Sequence, residues 1–278
     1  MKLTADSLVL AYGPKVIVDG VSIRIPEGRI SVLIGPNGSG KSTILRALSR
    51  LLKPQSGQVV LDGHSIQTMT TREVARKLAI LPQQSTAPEA ITVENLVWYG
   101  RHPHRRAILP PTPADRRAVG WAMAATGMDK FRARPVDELS GGQRQRAWIS
   151  LALAQETDIL LLDEPTTFLD LSHQLDVLEL CAELNREQGK TIVMVLHDIN
   201  LAAEYAHHLF VIRSGCLHTE GDPPAVLTSD LLRDVFGVEA RVMPHPVTGA
   251  PLCIPLRKVP REDRRPHRPA VVENGGSL

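Results

Sequence analysis

The sequence predicts an α/β fold: a parallel sheet with helices on both faces, interrupted by an inserted helical segment. Two observations carry this. Residues 30–34, 159–162 and 191–196 are short, almost unbroken aliphatic runs, the pattern of strands buried on both faces in the middle of a parallel sheet. Between about Pro88 and Glu156 the apolar residues take helical spacing instead, punctuated by Pro103 and by Pro110, Pro111 and Pro113.

Taken in order, 21–25 alternates apolar and polar residues as a strand does, and 30–34 stops at Gly35. A helix should follow with Ile44, Leu45, Leu48, Leu51 and Leu52 on one face, closed by Pro54 and Gly57. The helical lobe comes next, then the two later aliphatic strands. After Gly221 a short helix is expected at 229–236 and β-like pieces at 239–243 and 252–256. From Arg257 onward the chain is rich in Arg, Pro and Gly and poor in apolar residues until Val271 and Val272. A disordered, solvated tail is expected there. There is no internal repeat.

Composition narrows the function. With 32 basic and 30 acidic residues the net charge is +2, which argues against nucleic acid as the main partner. No stretch is long and apolar enough to cross a bilayer. The first ten residues mix Lys2, Thr4, Asp6 and Ser7 with aliphatics, unlike a secretion signal, so the chain is expected to stay in the cytosol. Cys181, Cys216 and Cys253 form no CxxC pair and are expected to be buried or idle thiols.

Three motifs carry chemistry. Gly35-Pro36-Asn37-Gly38-Ser39-Gly40-Lys41-Ser42 follows an aliphatic strand and opens a helix, which is the context of a phosphate-binding P-loop. Its glycines let backbone amides face the β-phosphate, and the helix N-terminus adds its positive end. Lys41 is placed to bridge the β- and γ-phosphates, Ser42 to offer a hydroxyl to Mg²⁺, and Thr43 to bond the α-phosphate. This motif alone does not separate kinases, GTPases and transport ATPases. Second, Ile159-Leu160-Leu161-Leu162 ends in Asp163 and Glu164. Side chains alternate along a strand, so the two carboxylates should diverge into different roles. Asp163 would hold Mg²⁺ through water, and Glu164 would face the γ-phosphate and polarise the attacking water. Third, Leu139-Ser140-Gly141-Gly142-Gln143 precedes an expected helix at 144–155, and a hydroxyl, two glycine amides and a helix N-terminus make a second anion site.

On this pentapeptide the sequence resembles the ABC ATPase family. The resemblance implies that residues 139–143 serve ATP held by the other subunit of a head-to-tail homodimer. The other family markers follow in order. Tyr12 matches the aromatic that stacks on adenine. Gln83 resembles the glutamine that meets Mg²⁺ and the attacking water, with Gln84 beside it as the competing assignment. Thr167-Phe168-Leu169-Asp170 resembles the loop that crosses the dimer interface, anchored by Asp170. His197, taken as the end of the last buried strand, resembles the histidine that touches the γ-phosphate and holds Glu164. Arg101-His102-Pro103-His104, 166–174, His197-Asp198-Ile199-Asn200-Leu201-Ala202 and 246–251 resemble the importer ATPases for iron chelates and vitamin B12.

The resemblance covers about residues 1–256. It implies a RecA-like P-loop core (1–87 and 157–220) with an N-terminal antiparallel β portion and a helical subdomain (88–156). A C-terminal extension (221–256) and the tail (257–278) complete the chain. It also implies an ATPase using ATP and Mg²⁺ at the cytoplasmic face of the membrane, partnered by transmembrane permease subunits and indirectly by a substrate-binding protein. The cargo implied is a ferric siderophore, with heme, vitamin B12 or an exported compound as alternatives, and a non-transport ABC ATPase as the further rival.

Overall fold

The computed structural model describes residues 2–83, 86–105, 110–167 and 169–260. Strands β1 (Leu3–Tyr12) and β2 (Lys15–Ile25) form a hairpin whose two-residue turn opens on Gly13 at φ 58°. Strand β3 (Ile30–Ile34) runs into the P-loop, and helix α1 (Lys41–Leu48) leaves it. Next come β4 (Ser56–Leu61), β5 (His64–Ser65), α2 (Thr71–Lys77) and β6 (Leu78–Leu81). The expected helical segment holds α3 (Val93–Trp98), α4 (Pro113–Ala125) and α5 (Gly141–Ala154). The chain then alternates through β7 (Ile159–Asp163), α6 (Leu171–Gln188), β8 (Thr191–Val195), α7 (Ile199–Tyr205) and β9 (His208–Arg213). It finishes with β10 (Cys216–Gly221), the short α8 (Pro223–Val226) and α9 (Ser229–Leu231), a π-helical turn Leu232–Phe236, and the hairpin β11 (Val238–Pro244) and β12 (Pro251–Lys258).

The strands form three sheets. The order β2-β1-β4-β5 is antiparallel throughout, β10-β9-β3-β8-β7-β6 is parallel except for the edge strand β10, and β11-β12 stands apart. In β3, β7 and β8 every residue is buried, as expected of strands covered on both faces. Alternation still decides which face each side chain serves. Val32, Leu160, Leu162 and Met194 join a core shared with α3 to α7, while Leu33, Leu161, Val193 and Val195 join a second core shared with α1 and the antiparallel sheet. The large sheet is therefore the wall between two hydrophobic clusters.

Four expectations need correction. Helix α1 stops at Leu48, well before Pro54 and Gly57. Arg50 takes φ 66°, and the amides of Leu51 and Leu52 turn back onto Arg46 O, the closure of a left-handed helix end. Leu51 is consequently 61% exposed and off the expected apolar face. Helix α5 starts at Gly141 rather than Arg144, because Ser140 caps it: Ser140 Oγ accepts from Gln143 N at 3.3 Å, and Gln143 Oε1 accepts from Ser140 N at 3.2 Å. The strand before His197 ends at Val195 and is not the last buried one, since β9 pairs in parallel with β3 beyond it. Finally, β12 runs through Arg257 and Lys258, and Val259 is buried, so the expected start of the tail at Arg257 falls inside the hairpin. Arg257 Nε donates to Glu239 Oε2 across it at 2.6 Å. Residues 261–278 lie outside the described residues.

Candidate active site

A cavity of about 600 Å³ opens where β3, β7 and β8 end, at the C-terminal edge of the parallel strands. Its floor is the P-loop. Gly35 has φ 150°, and a Cβ there would lie 2.0 Å from Ile212 O, so only glycine lets the loop leave β3 beside β9. Gly40, at φ 104° and pressed against Val18, starts α1. Lys41 is buried, and its Nζ donates to Gly35 O at 2.8 Å and Pro36 O at 3.0 Å. Burial lowers its pKa, while Glu164 and Asp163 oppose that shift.

The acidic pair sits opposite. Asp163 ends β7 and is buried, and Ser42 Oγ donates to its Oδ1 at 2.7 Å. Burial raises Asp163, helped by Glu164 and opposed by the Ser42 hydrogen bond and by Arg46 and Lys41. Glu164 follows with φ 54°, a left-handed conformation that a non-glycine residue keeps only under constraint. The constraint is visible. Glu164 Oε2 accepts from Gln83 Nε2 at 2.7 Å and from Thr167 Oγ1 at 3.1 Å, and Oε1 lies 2.7 Å from His197 Nε2. The turn thus separates the carboxylates, Asp163 toward Ser42 and Glu164 toward the open cavity.

Tyr12, 45% exposed at the end of the first hairpin strand, lines the same cavity, and its hydroxyl accepts from Arg46 Nη1 at 3.2 Å. Asn37, Gly38, Gly40, Ser42, Thr43, Gln83, Glu164 and His197 line it too. Lys15, Ile17 and Thr167 also reach it, and motif reading misses them as site residues. Lys15 and Ile17 arrive through the pairing of β2 with β1, which leaves no spacing signal in the chain. Thr167 was legible only as part of a loop motif, not as a hydrogen-bond donor to Glu164.

Leu139, Ser140, Gly141, Gly142 and Gln143 are not among the residues lining this cavity. Asp170 is absent from it as well. Asp170 caps α6, its Oδ1 accepting from His173 N at 3.0 Å and Ser172 Oγ at 3.1 Å and lying 2.6 Å from His173 Nδ1. Gln84 and Phe168 lie outside the described residues. Arg101 is buried in the helical segment, where it bonds Asp115 Oδ1, Ala154 O and Glu156 Oε2.

A glycine-rich loop, a buried lysine, a hydroxyl paired with a buried carboxylate, and a second carboxylate in contact with Gln83, Thr167 and His197 thus meet at one cavity. The ABC transporter family model matches residues 18–167. This chain belongs to the ABC transporter family.

Its relatives are closely similar over nearly the whole length. The achromobactin transport ATP-binding protein CbrD of Dickeya dadantii is 49% identical over 94% of this chain and 97% of its own. The ferric enterobactin transport ATP-binding protein FepC of Escherichia coli is 48% identical over 92% of this chain and 94% of its own. Among solved structures, the dimeric bacterial ABC transporter cassette MJ0796 superposes with a TM-score of 0.70 at 28% identity, covering 79% of this chain and 98% of that one. The antiparallel sheet, the parallel sheet with its P-loop and the helical segment of this ABC cassette are accordingly those of an ABC ATPase.

Proposed function

We propose that this ABC cassette hydrolyses ATP to drive uptake of an iron chelate through a separate membrane permease. The observation that carries the chemistry is Glu164, fixed between Gln83, Thr167 and His197 at the open side of the P-loop. The cargo rests on relatives named for achromobactin and ferric enterobactin transport.

ATP would sit with its adenine against Tyr12 and its phosphates on the amides of 35–43. Lys41, now spent on two loop carbonyls, would turn to the β- and γ-phosphates. Ser42 Oγ and the Gln83 amide oxygen, with Asp163 acting through water, are hard oxygen donors suited to Mg²⁺, which keeps several waters and takes few protein ligands. The ion supplies charge neutralisation on the phosphate oxygens. Glu164 takes a proton from the water that attacks the γ-phosphorus, the bond to the ADP oxygen breaks, and His197 keeps the carboxylate aimed at that water. Ser140, Gly141 and Gly142 of a second copy would complete the site over the γ-phosphate, with Asp170 at the loop between the two copies. ATP would therefore close a homodimer, and hydrolysis would reopen it. Motion of a lobe, 88–156, against a core, 1–87 and 157–220, would be passed to the permease at the cytoplasmic face of the membrane. No helix among the described residues is long and apolar enough to cross that membrane itself.

The test is uptake in the host cell. Deleting the chain should abolish accumulation of radioactive iron supplied as a ferric chelate. The wild-type chain should restore it, and Glu164→Gln should not. Normal iron uptake with loss of vitamin B12 uptake would overturn the cargo while leaving the ATPase chemistry in place.

A further inference from the structure

His197 lies in the short link between the end of β8 and the start of α7. The sheet holds one side of this link, where Leu196 N donates to Leu33 O at 3.4 Å. The other side is α7, seven residues long. Asp198 closes its first turn by accepting from Asn200 N at 2.8 Å and Leu201 N at 3.0 Å. A helix this short is not stable by itself, so its direction must be set by what it packs against.

The C-terminal hairpin sets it at both ends. Asn200 presents to Cys253 what a neighbouring strand would present: its Oδ1 accepts from Cys253 N at 2.8 Å, and its Nδ2 donates to Cys253 O at 3.2 Å. At the far end of α7, Thr248 in the hairpin turn donates to Glu204 Oε2 at 2.7 Å. The hairpin is itself anchored, since Cys253 is buried in the core on which Ala240 and Val242 also pack. The His197 side chain, by contrast, is 42% exposed where it meets Glu164.

We propose that Asn200 is a positioning residue for hydrolysis: by tying α7 to the backbone of Cys253, it fixes the direction from which His197 reaches Glu164. The proposal rests on the reading of Glu164 and His197 given above. It extends the catalytic apparatus to the C-terminal hairpin, which lies beyond residues 18–167 matched by the family model. Asn200 does not line the nucleotide cavity, so nucleotide binding and turnover should separate.

The experiment is steady-state MgATP hydrolysis by the full chain carrying Asn200→Ala, with ATP affinity by calorimetry and Tm by differential scanning. The expected result is a roughly 10- to 100-fold fall in kcat, with KM and ATP affinity within about twofold of wild type. In a His197→Ala background the same substitution should lower kcat no further, because its effect runs through that side chain. Asn200→Asp keeps the acceptor for the Cys253 amide but sets an oxygen against the Cys253 carbonyl. It should shift kcat in the same direction, and it carries the test if the alanine variant does not fold. An unchanged kcat per folded chain, or a loss that adds in full to that of His197→Ala, overturns the proposal. A wild-type kcat in His197→Ala alone would overturn it from below, by removing the role of the histidine.

Discussion

At the scale of a residue, Lys41 is held by its own loop. Its ammonium is buried and bonded to the carbonyls of Gly35 and Pro36; in the proposed function phosphates would replace these two neutral acceptors with charged ones, whose hydrogen bonds are the stronger. Such residues are legible in the sequence because phosphate chemistry demands fixed spacing on one turn. Arg101 is legible only as a family segment, and its physical work appears in the fold. It pairs with Asp115 at 3.0 Å and with Glu156 at 2.6 Å. Burial by itself raises Asp115, but hydrogen bonds from Thr112 and Arg101 outweigh it and hold the carboxyl at about 2. The folded value therefore lies below the unfolded one of about 3.9. The stabilisation, about 2 to 3 kcal/mol, is present above roughly pH 4 and is lost as pH falls toward 2. The stability advantage of wild type over Asp115→Asn, read from urea midpoints, should shrink by about 1 kcal/mol between pH 6 and pH 3. A constant difference would mean that Asp115 does not titrate in this way.

Among the elements, α5 opens with the residues proposed to meet the nucleotide of a second copy. The pentapeptide at 139–143 was readable as a helix entrance, but the two glycines belong to the first turn and not to a loop before it. The reason is the reciprocal cap between Ser140 and Gln143, which starts the helix three residues earlier than its apolar pattern does. This puts the amides of Gly141 and Gly142 at the helix terminus, where an anion is bound best. Gly142 also has no room for a side chain, since a Cβ there would lie 2.8 Å from the His173 ring of α6. Ser140→Arg should remove the cap at a cost of about 1 kcal/mol and leave the P-loop of the same chain intact. ATP affinity of the dilute mutant, measured by calorimetry, should stay near that of wild type while turnover disappears. Hydrolysis at the wild-type rate by the mutant as a dilute monomer would exclude any role for this helix end on a partner's nucleotide.

For the whole molecule, burial was easier to read than neighbourhood. The aliphatic runs 30–34, 159–162 and 191–196 announce strands covered on both faces, and all three are central. Nothing in them says that β9 lies on the far side of β3, that β6 joins beyond β7, or that β10 closes the edge in reverse. That order depends on crossovers through α1, α6 and α7, whose direction is set by packing. The C-terminal hairpin was visible as two β-like pieces, but its grip on α7 was not, because Asn200 and Cys253 are 53 residues apart. The proposed site, built around Glu164 and completed by a second copy, involves this whole assembly. Glu164→Gln tests it most directly, with ATP turnover and molecular mass by size-exclusion light scattering measured on the same sample. The amide keeps the size of Glu164 and one acceptor oxygen for Gln83 and Thr167 but cannot take the proton, so turnover should fall about 10²- to 10⁴-fold. The protein should run as a dimer when MgATP is present and as a monomer when it is not. Near-normal turnover, or a mass that ignores ATP, would rule out such a site.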